Sequence, residues 1–139
     1  MEVAGKVTLL GGGSSGKVTV GQVFNRNASI PLCELMYSAD VGGFVLLYEE
    51  AKGAGNTIDL QIPVALNTRY RFQLSLTHGV LTVSINRKKV YSHTPSSSIL
   101  ANEFYFKCGN YDQTSISGAV TTTPYTIVEN YSINVVHKA

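Results

Sequence analysis

The sequence carries little charge. Asp, Glu, Lys and Arg make up 14% of its 139 residues, against about 25% in an average soluble domain. That shortage excludes a charge-rich coiled coil and a charge-driven disordered tail. The charge present is nearly balanced, eleven Lys and Arg against nine Asp and Glu, for a net of +2. A dedicated nucleic-acid binder would show a basic excess or stripe, so no nucleic-acid partner is expected. Trp is absent, and the two cysteines, Cys33 and Cys108, form no CxxC pair. Neither a disulfide framework nor a zinc site is expected; both cysteines read as buried free thiols, with a disulfide between them open only if the fold brings their Cα atoms within about 7 Å. His78, His93 and His137 are scattered along the chain, so no metal and no cofactor is expected. No apolar run reaches the ~18 residues of a transmembrane helix, and no membrane contact is expected. The opening MEVAGKVTLL lacks the basic start and long apolar stretch of a secretory leader, which leaves the compartment open.

What is abundant is strand. Val, Ile, Thr, Tyr and Phe dominate short runs separated by Gly, Asn, Ser and Pro. The clearest run is Arg69 to Leu76, where Tyr70, Phe72, Leu74 and Leu76 alternate with Arg69, Arg71, Gln73 and Ser75. Period 2 held this long predicts a strand with one buried face. His78-Gly79 then turns the chain, and Leu81, Val83 and Ile85 alternate in a second arm, which makes a hairpin. Further strands are expected at Val7–Leu10, Lys17–Phe24, Cys33–Ser38, Phe44–Glu49, Thr57–Ile62, Lys89–His93, Glu103–Tyr111 and Tyr125–Val136. Loops are expected at 11–16, 53–56, 95–98 and, longest, 114–124. About ten short strands and no helix predict a single all-β domain over residues 1–139, an antiparallel β-sandwich of jelly-roll type.

No GxSxG, P-loop or HExxH motif is present, and no Asp/Glu pair stands out as a glycosidase dyad. The most informative stretch is YFKCGNYDQ, residues 105–113. In a strand, Tyr105, Lys107, Gly109, Tyr111 and Gln113 share one face, while Phe106 and Cys108 face the core. The shared face carries two phenols, an ammonium and an amide around a glycine gap. Tyrosine offers a sugar a flat apolar platform with a polar tip, and lysine can pair with a carboxylate. A solvated sheet face with incidental tyrosines fits the composition equally well.

YFKCGNYDQ closely resembles the YFKxGxYxQ motif of the alginate lyases of polysaccharide lyase family 7 and the related glucuronan lyases. Val18–Phe24 resembles the lead-in and Gln-Ile-His strand of that family, and Pro31–Tyr37 resembles the strand that follows. Arg69–Leu76, Leu81–Asn86 and Tyr131–His137 also fit in order. The resemblance implies a jelly roll whose concave sheet holds an acidic polysaccharide or oligosaccharide, and it implies β-elimination. A uronate carboxylate is neutralised, the C5 proton is removed, and the 4-O-linked sugar leaves with a proton. Donors aimed at the developing charge supply most of the stabilisation. The resemblance makes Tyr111 the proton shuttle and Gln22 the carboxylate-binding amide. Lys107, Tyr105, Gln113 and Asn110 become substrate-binding residues. A tyrosine, ordinarily near pKa 10, needs nearby positive charge to act as a base near neutral pH, and Lys107 is the candidate for that help.

Two departures stand out. Phe24 occupies the family histidine position, and phenylalanine cannot move a proton. The family's upstream Arg-x-Glu-Leu-Arg strand has no counterpart in this sequence, so Arg69 and Arg71 are the candidates to replace its arginine. A sandwich without that strand would carry an open edge, which predicts a homodimer or a rearranged edge. Simple alternation also puts Gln22 and Phe24 on the side of Val18 and Val20, unless a bulge at Gly21 switches the phase. The expected function is binding of a uronate glycan with weak or absent elimination. An active lyase using Tyr111, and a non-carbohydrate interaction or defence protein on the same fold, are the alternatives.

Overall fold

The computed structural model describes residues 1–10, 16–112 and 126–136. Among these residues, ten strands form two five-stranded antiparallel sheets. The first sheet contains β1 (Glu2–Leu9), β6 (Arg69–Thr77), β7 (Val80–Ile85), β8 (Lys88–His93) and β10 (Ile127–Asn134), in the order β10-β1-β6-β7-β8. The second contains β2 (Lys17–Asn25), β3 (Ile30–Ser38), β4 (Gly43–Tyr48), β5 (Asn56–Pro63) and β9 (Phe104–Asp112), in the order β5-β4-β3-β2-β9. This is the jelly-roll sandwich expected from the sequence. One helical turn, α1 (Ser97–Leu100), stands where a loop is expected.

The sheets are held together by the alternating side chains that the sequence marks. Tyr70, Phe72 and Leu74 of β6 and Leu81, Val83 and Ile85 of β7 are buried from the first sheet. Val18, Val20, Val23, Leu35, Phe44 and Leu46 meet them from the second. Phe44 joins the layers, edge-on to Tyr37 at 5.7 Å within its own sheet and to Tyr70 at 4.9 Å across the core. Each such aromatic pair adds about 0.5–1.5 kcal/mol beyond the area it buries. The Tyr37 hydroxyl donates to the Val64 carbonyl at 2.8 Å, which keeps a buried phenol satisfied.

The hairpin at His78-Gly79 has φ of 50° and 74° at its two loop residues. Both values are positive, which is the type I′ geometry that follows strand twist. Asn86-Arg87 makes a second turn of the same kind, with φ of 49° and 70°. It joins β7 to β8 and has no glycine to advertise it. β1 begins five residues before its expected start, because Ala4-Gly5 is a poor strand signal. A Cβ at Gly5 would stand 2.8 Å from the Glu129 carbonyl oxygen, so the gap in propensity is where β10 approaches most closely.

Candidate functional site

The site depends on how β2 breaks alternation. Thr19 pairs with Met36 and Gly21 with Leu35, so β2 carries one residue more than β3 at this point. That extra residue makes a β-bulge at Val20. Val18, Val20 and Val23 all point into the core. Gly21 faces inward too: a Cβ there would lie 2.8 Å from Cε2 and Cζ of Phe72. Thr19, Gln22 and Phe24 are thereby left on the outer face. The bulge resolves the conflict between valines that need burial and a glutamine that needs a polar partner.

Strand pairing then assembles the outer face. Gln22 stands opposite Glu34 on β3 and opposite Lys107 on β9, giving a row Glu34–Gln22–Lys107 across three strands. Phe24 pairs with Tyr105, and Thr19 with Tyr111. These residues, apart from Tyr105, line an open groove of about 460 Å³, with Pro31, Cys108, Gly109 and Asn110. Phe106 and Cys108 pack toward the core, as the alternation of YFKCGNYDQ predicts. Tyr111 is 61% exposed and stands at the rim.

Lys107 is held by aromatic rings. Its Nζ lies 3.5 Å from the centre of the Phe24 ring and 5.3 Å from that of Tyr105. A cation over two ring faces is attracted by their quadrupoles. The ammonium is therefore held at the Phe24–Tyr105 pair, and Tyr111 lies four residues along the strand. Asn110 lines the groove, but its amide donates to the Thr126 carbonyl at 2.8 Å and ties β9 to the start of β10. Burial raises the pKa of the Cys108 thiol. Cys33, fully buried on β3, is pushed up to about 12 by desolvation. Both cysteines are free, and β2 lies between their strands.

Arg69 and Arg71 are not in the groove. They belong to β6, whose Tyr70, Phe72 and Leu74 fill the core, so the arginines project from the opposite side of the sandwich. Arg69 lies 4.5 Å over the Tyr131 ring, and Arg71 pairs with Glu2 at 3.2 Å. Gln113 and the 114–124 loop lie outside the described residues. Glu34 is the groove residue that sequence reasoning missed. It sits among Leu32, Cys33, Leu35 and Met36 and reads as an isolated charge in an apolar run. Its Oε2 accepts from the Thr19 hydroxyl at 2.7 Å. Among the described residues no group of three His, Cys, Asp or Glu could hold a metal ion, and no helix is long and apolar enough to cross a membrane.

Comparison with known proteins places this geometry. A family model described as alginate lyase matches residues 1–137. No curated protein sequence matches the chain. Among solved structures, the fold is similar to an alginate lyase from Pseudomonas aeruginosa, with 18% identity and a TM-score of 0.82, over 99% of this chain and 63% of that one. It is similar to the alginate lyase A1-II′, with 23% identity and a TM-score of 0.77, over 99% and 60%. It is also similar to an alginate lyase from Klebsiella pneumoniae, with 19% identity and a TM-score of 0.76, over 99% and 59%. The chain thus spans about three-fifths of the length of these structures. With the family model matching nearly its whole length, the chain belongs to the alginate lyase family.

Proposed function

We propose that the groove binds an acidic polysaccharide carrying uronate carboxylates, with weak or absent β-elimination. The observation that carries this reading is the juxtaposition of Gln22, Lys107 and Phe24 on one open face. The Gln22 amide is a donor for a uronate carboxylate, and Lys107 is a fixed cation beside it. Phe24 and Tyr105 present rings against which a pyranose can lie. A solved alginate lyase of family 7 is described in complex with a product, GGG, and another form of it with a substrate, GGMG. This chain shares that fold at 22–23% identity.

Elimination asks more of a site than binding. The C5 carbanion forms only if the carboxylate is neutralised while a base takes the proton. Tyr111 stands at the rim opposite Thr19, and the Lys107 ammonium lies over the Phe24 ring. Phe24 itself accepts no proton. Groups that act as a unit in catalysis lose orders of magnitude when members are replaced, so binding is the activity that this set of residues retains.

The test is titration calorimetry with a panel of oligosaccharides: alginate, glucuronan, hyaluronan and neutral dextran. The expected result is binding to at least one acidic glycan above the dextran control, and loss of that binding in Lys107→Ala. No acidic glycan binding above dextran would overturn the reading. Ultraviolet absorbance of the unsaturated product, with Tyr111→Phe as the control, reports elimination. Rapid product formation that depends on Tyr111 would replace the binding function with an active lyase.

A further inference from the structure

The near-balance of charge in the sequence conceals a separation in space. The first sheet, with the turn between β7 and β8, carries Lys6, Arg69, Arg71, Arg87, Lys88 and Lys89 against Glu2 and Glu129, a net of +4. The whole chain is +2, so the rest of it, including the sheet that bears the groove, sums to −2. Strand pairing gathers the cations on the side away from the groove. Lys6 stands opposite Arg69. Arg71 follows two residues along β6, roughly 6.8 Å away. The Arg71 N–H donates to Asn86 Oδ1 at 2.9 Å and the Asn86 N–H to the Arg71 carbonyl at 2.7 Å, which brings the Asn86-Arg87 turn against it. Lys89 ends a row that runs Glu2–Gln73–Ser84–Lys89 across four strands. Between these groups lies a notch of about 160 Å³, lined by Glu2, Arg71, Gln73, Ser84 and Arg87.

Lys6 pairs with Glu129 at 3.3 Å and Arg71 with Glu2 at 3.2 Å, but among the described residues no carboxylate pairs with Arg87, Lys88 or Lys89. Like charges gathered this closely repel one another, and a bound polyanion relieves that repulsion. We propose that the outer face of the first sheet is a second glycan-binding surface, which holds a long polyuronate chain across β1, β6, β7 and β8. The notch offers one ring of that chain two guanidiniums for its carboxylate, with Gln73 and Ser84 for its hydroxyls. Each exposed contact is weak, so this surface takes polymers, whereas the groove takes short oligosaccharides. The choice of a uronate chain among polyanions rests on the reading of the groove. Unpaired nucleic acid would need several open rings on which its bases stack. Among the described residues the outer face offers one ring, Tyr131, which Arg69 already covers at 4.5 Å.

The experiment measures binding of long-chain alginate and of an alginate tetrasaccharide at about 0.05 M salt, where screening is weak. The wild type is compared with the triple variant Arg71→Gln/Arg87→Gln/Lys89→Gln, with Glu2→Gln and with Lys107→Ala, and thermal melting checks that each folds. The triple variant is expected to bind the polymer about tenfold more weakly and to keep its affinity for the tetrasaccharide. Glu2→Gln, which frees Arg71, is expected to tighten polymer binding by about threefold. Lys107→Ala is expected to lose the tetrasaccharide and to keep the larger share of polymer binding. Polymer binding that is absent from the wild type, unchanged in the triple variant or abolished by Lys107→Ala would overturn the second surface. A DNA oligonucleotide or anionic vesicles held more tightly than alginate through the same three residues would overturn the glycan as its occupant. Polymer binding that depends on the three residues, with no tetrasaccharide bound, would support this surface and remove the function of the groove, so the two readings fail separately.

Discussion

Replacing Gly21 with Ala tests whether the β2 bulge is held by the core beneath it. Gly21 does not adopt a positive φ, so alanine meets no backbone penalty and the whole effect is steric. Its Cβ would stand 2.8 Å from two carbons of Phe72 and 3.3 Å from Cδ1 of Leu74. Carbon atoms are at their best about 3.5–4.0 Å apart. Phe72 and Leu74 are both fully buried, at 0% exposure, so relieving the contact means repacking the core around them. Overpacking of this kind costs about 1–3 kcal/mol. Against it, alanine narrows the unfolded ensemble and gains about 0.4–1 kcal/mol. The mid-range values leave a net loss of about 1.3 kcal/mol, so the clash wins. With a urea dependence of about 2 kcal/mol per molar, the unfolding midpoint falls by roughly 0.65 M. A second substitution, Phe72→Leu, identifies the cause. It costs stability alone, yet in combination with Gly21→Ala it relieves the clash, giving a favourable coupling of about 1 kcal/mol in a double-mutant cycle. A Gly21→Ala protein as stable as wild type, or two costs that simply add, would refute the reasoning.

Three other outcomes follow from particular contacts. Glu129 is held at a pKa of about 2, below its ordinary 4.5, by the Tyr131 hydroxyl, then the Thr8 hydroxyl and Lys6. Its contribution is therefore complete above pH 4.5 and lost as pH falls toward 2. Unfolding measured across that window should show a shallower acid slope in Glu129→Gln, and parallel curves would count against the assignment. Cys33, buried and pushed up to about 12, should resist alkylation in the folded protein at pH 8, while half-buried Cys108 is modified slowly. Mass spectrometry showing Cys33 labelled before unfolding would contradict this. Phe24→Leu removes one ring from under the Lys107 ammonium, a loss of about 0.5–1 kcal/mol. That is two- to fivefold weaker binding of whichever acidic glycan the wild type takes, and unchanged affinity would show that the ring does not hold the cation.

The jelly roll was legible wherever one face of a strand is dry. Arg69–Thr77 and Val80–Ile85 alternate in the sequence as they do in the sheet, because Tyr70, Phe72, Leu81 and Val83 all enter the core. β9 was legible for the same reason, with Phe106 inward and Lys107 outward. β1 was only half visible, since Ala4-Gly5 serves close backbone approach and not packing. The candidate site was legible as residue types but not as an arrangement. The side chosen by Gln22 depends on one extra residue in β2, and periodicity alone cannot reveal that. The arginines of β6 looked available because alternation tells which residues face out, but not from which sheet. Glu34 was hidden because both faces of β3 are buried, so its charge broke no visible pattern.

The bulge has a practical consequence for altering what this groove recognises. Because β2 advances one residue out of step at Val20, its sequence divides into two sets that can vary independently. Val18, Val20, Gly21 and Val23 answer to the opposing sheet, whereas Thr19, Gln22 and Phe24 answer to whatever lies outside. A library that randomises 19, 22 and 24 together with 34 and 107 would therefore redraw the ligand preference on a scaffold whose interior is left unchanged.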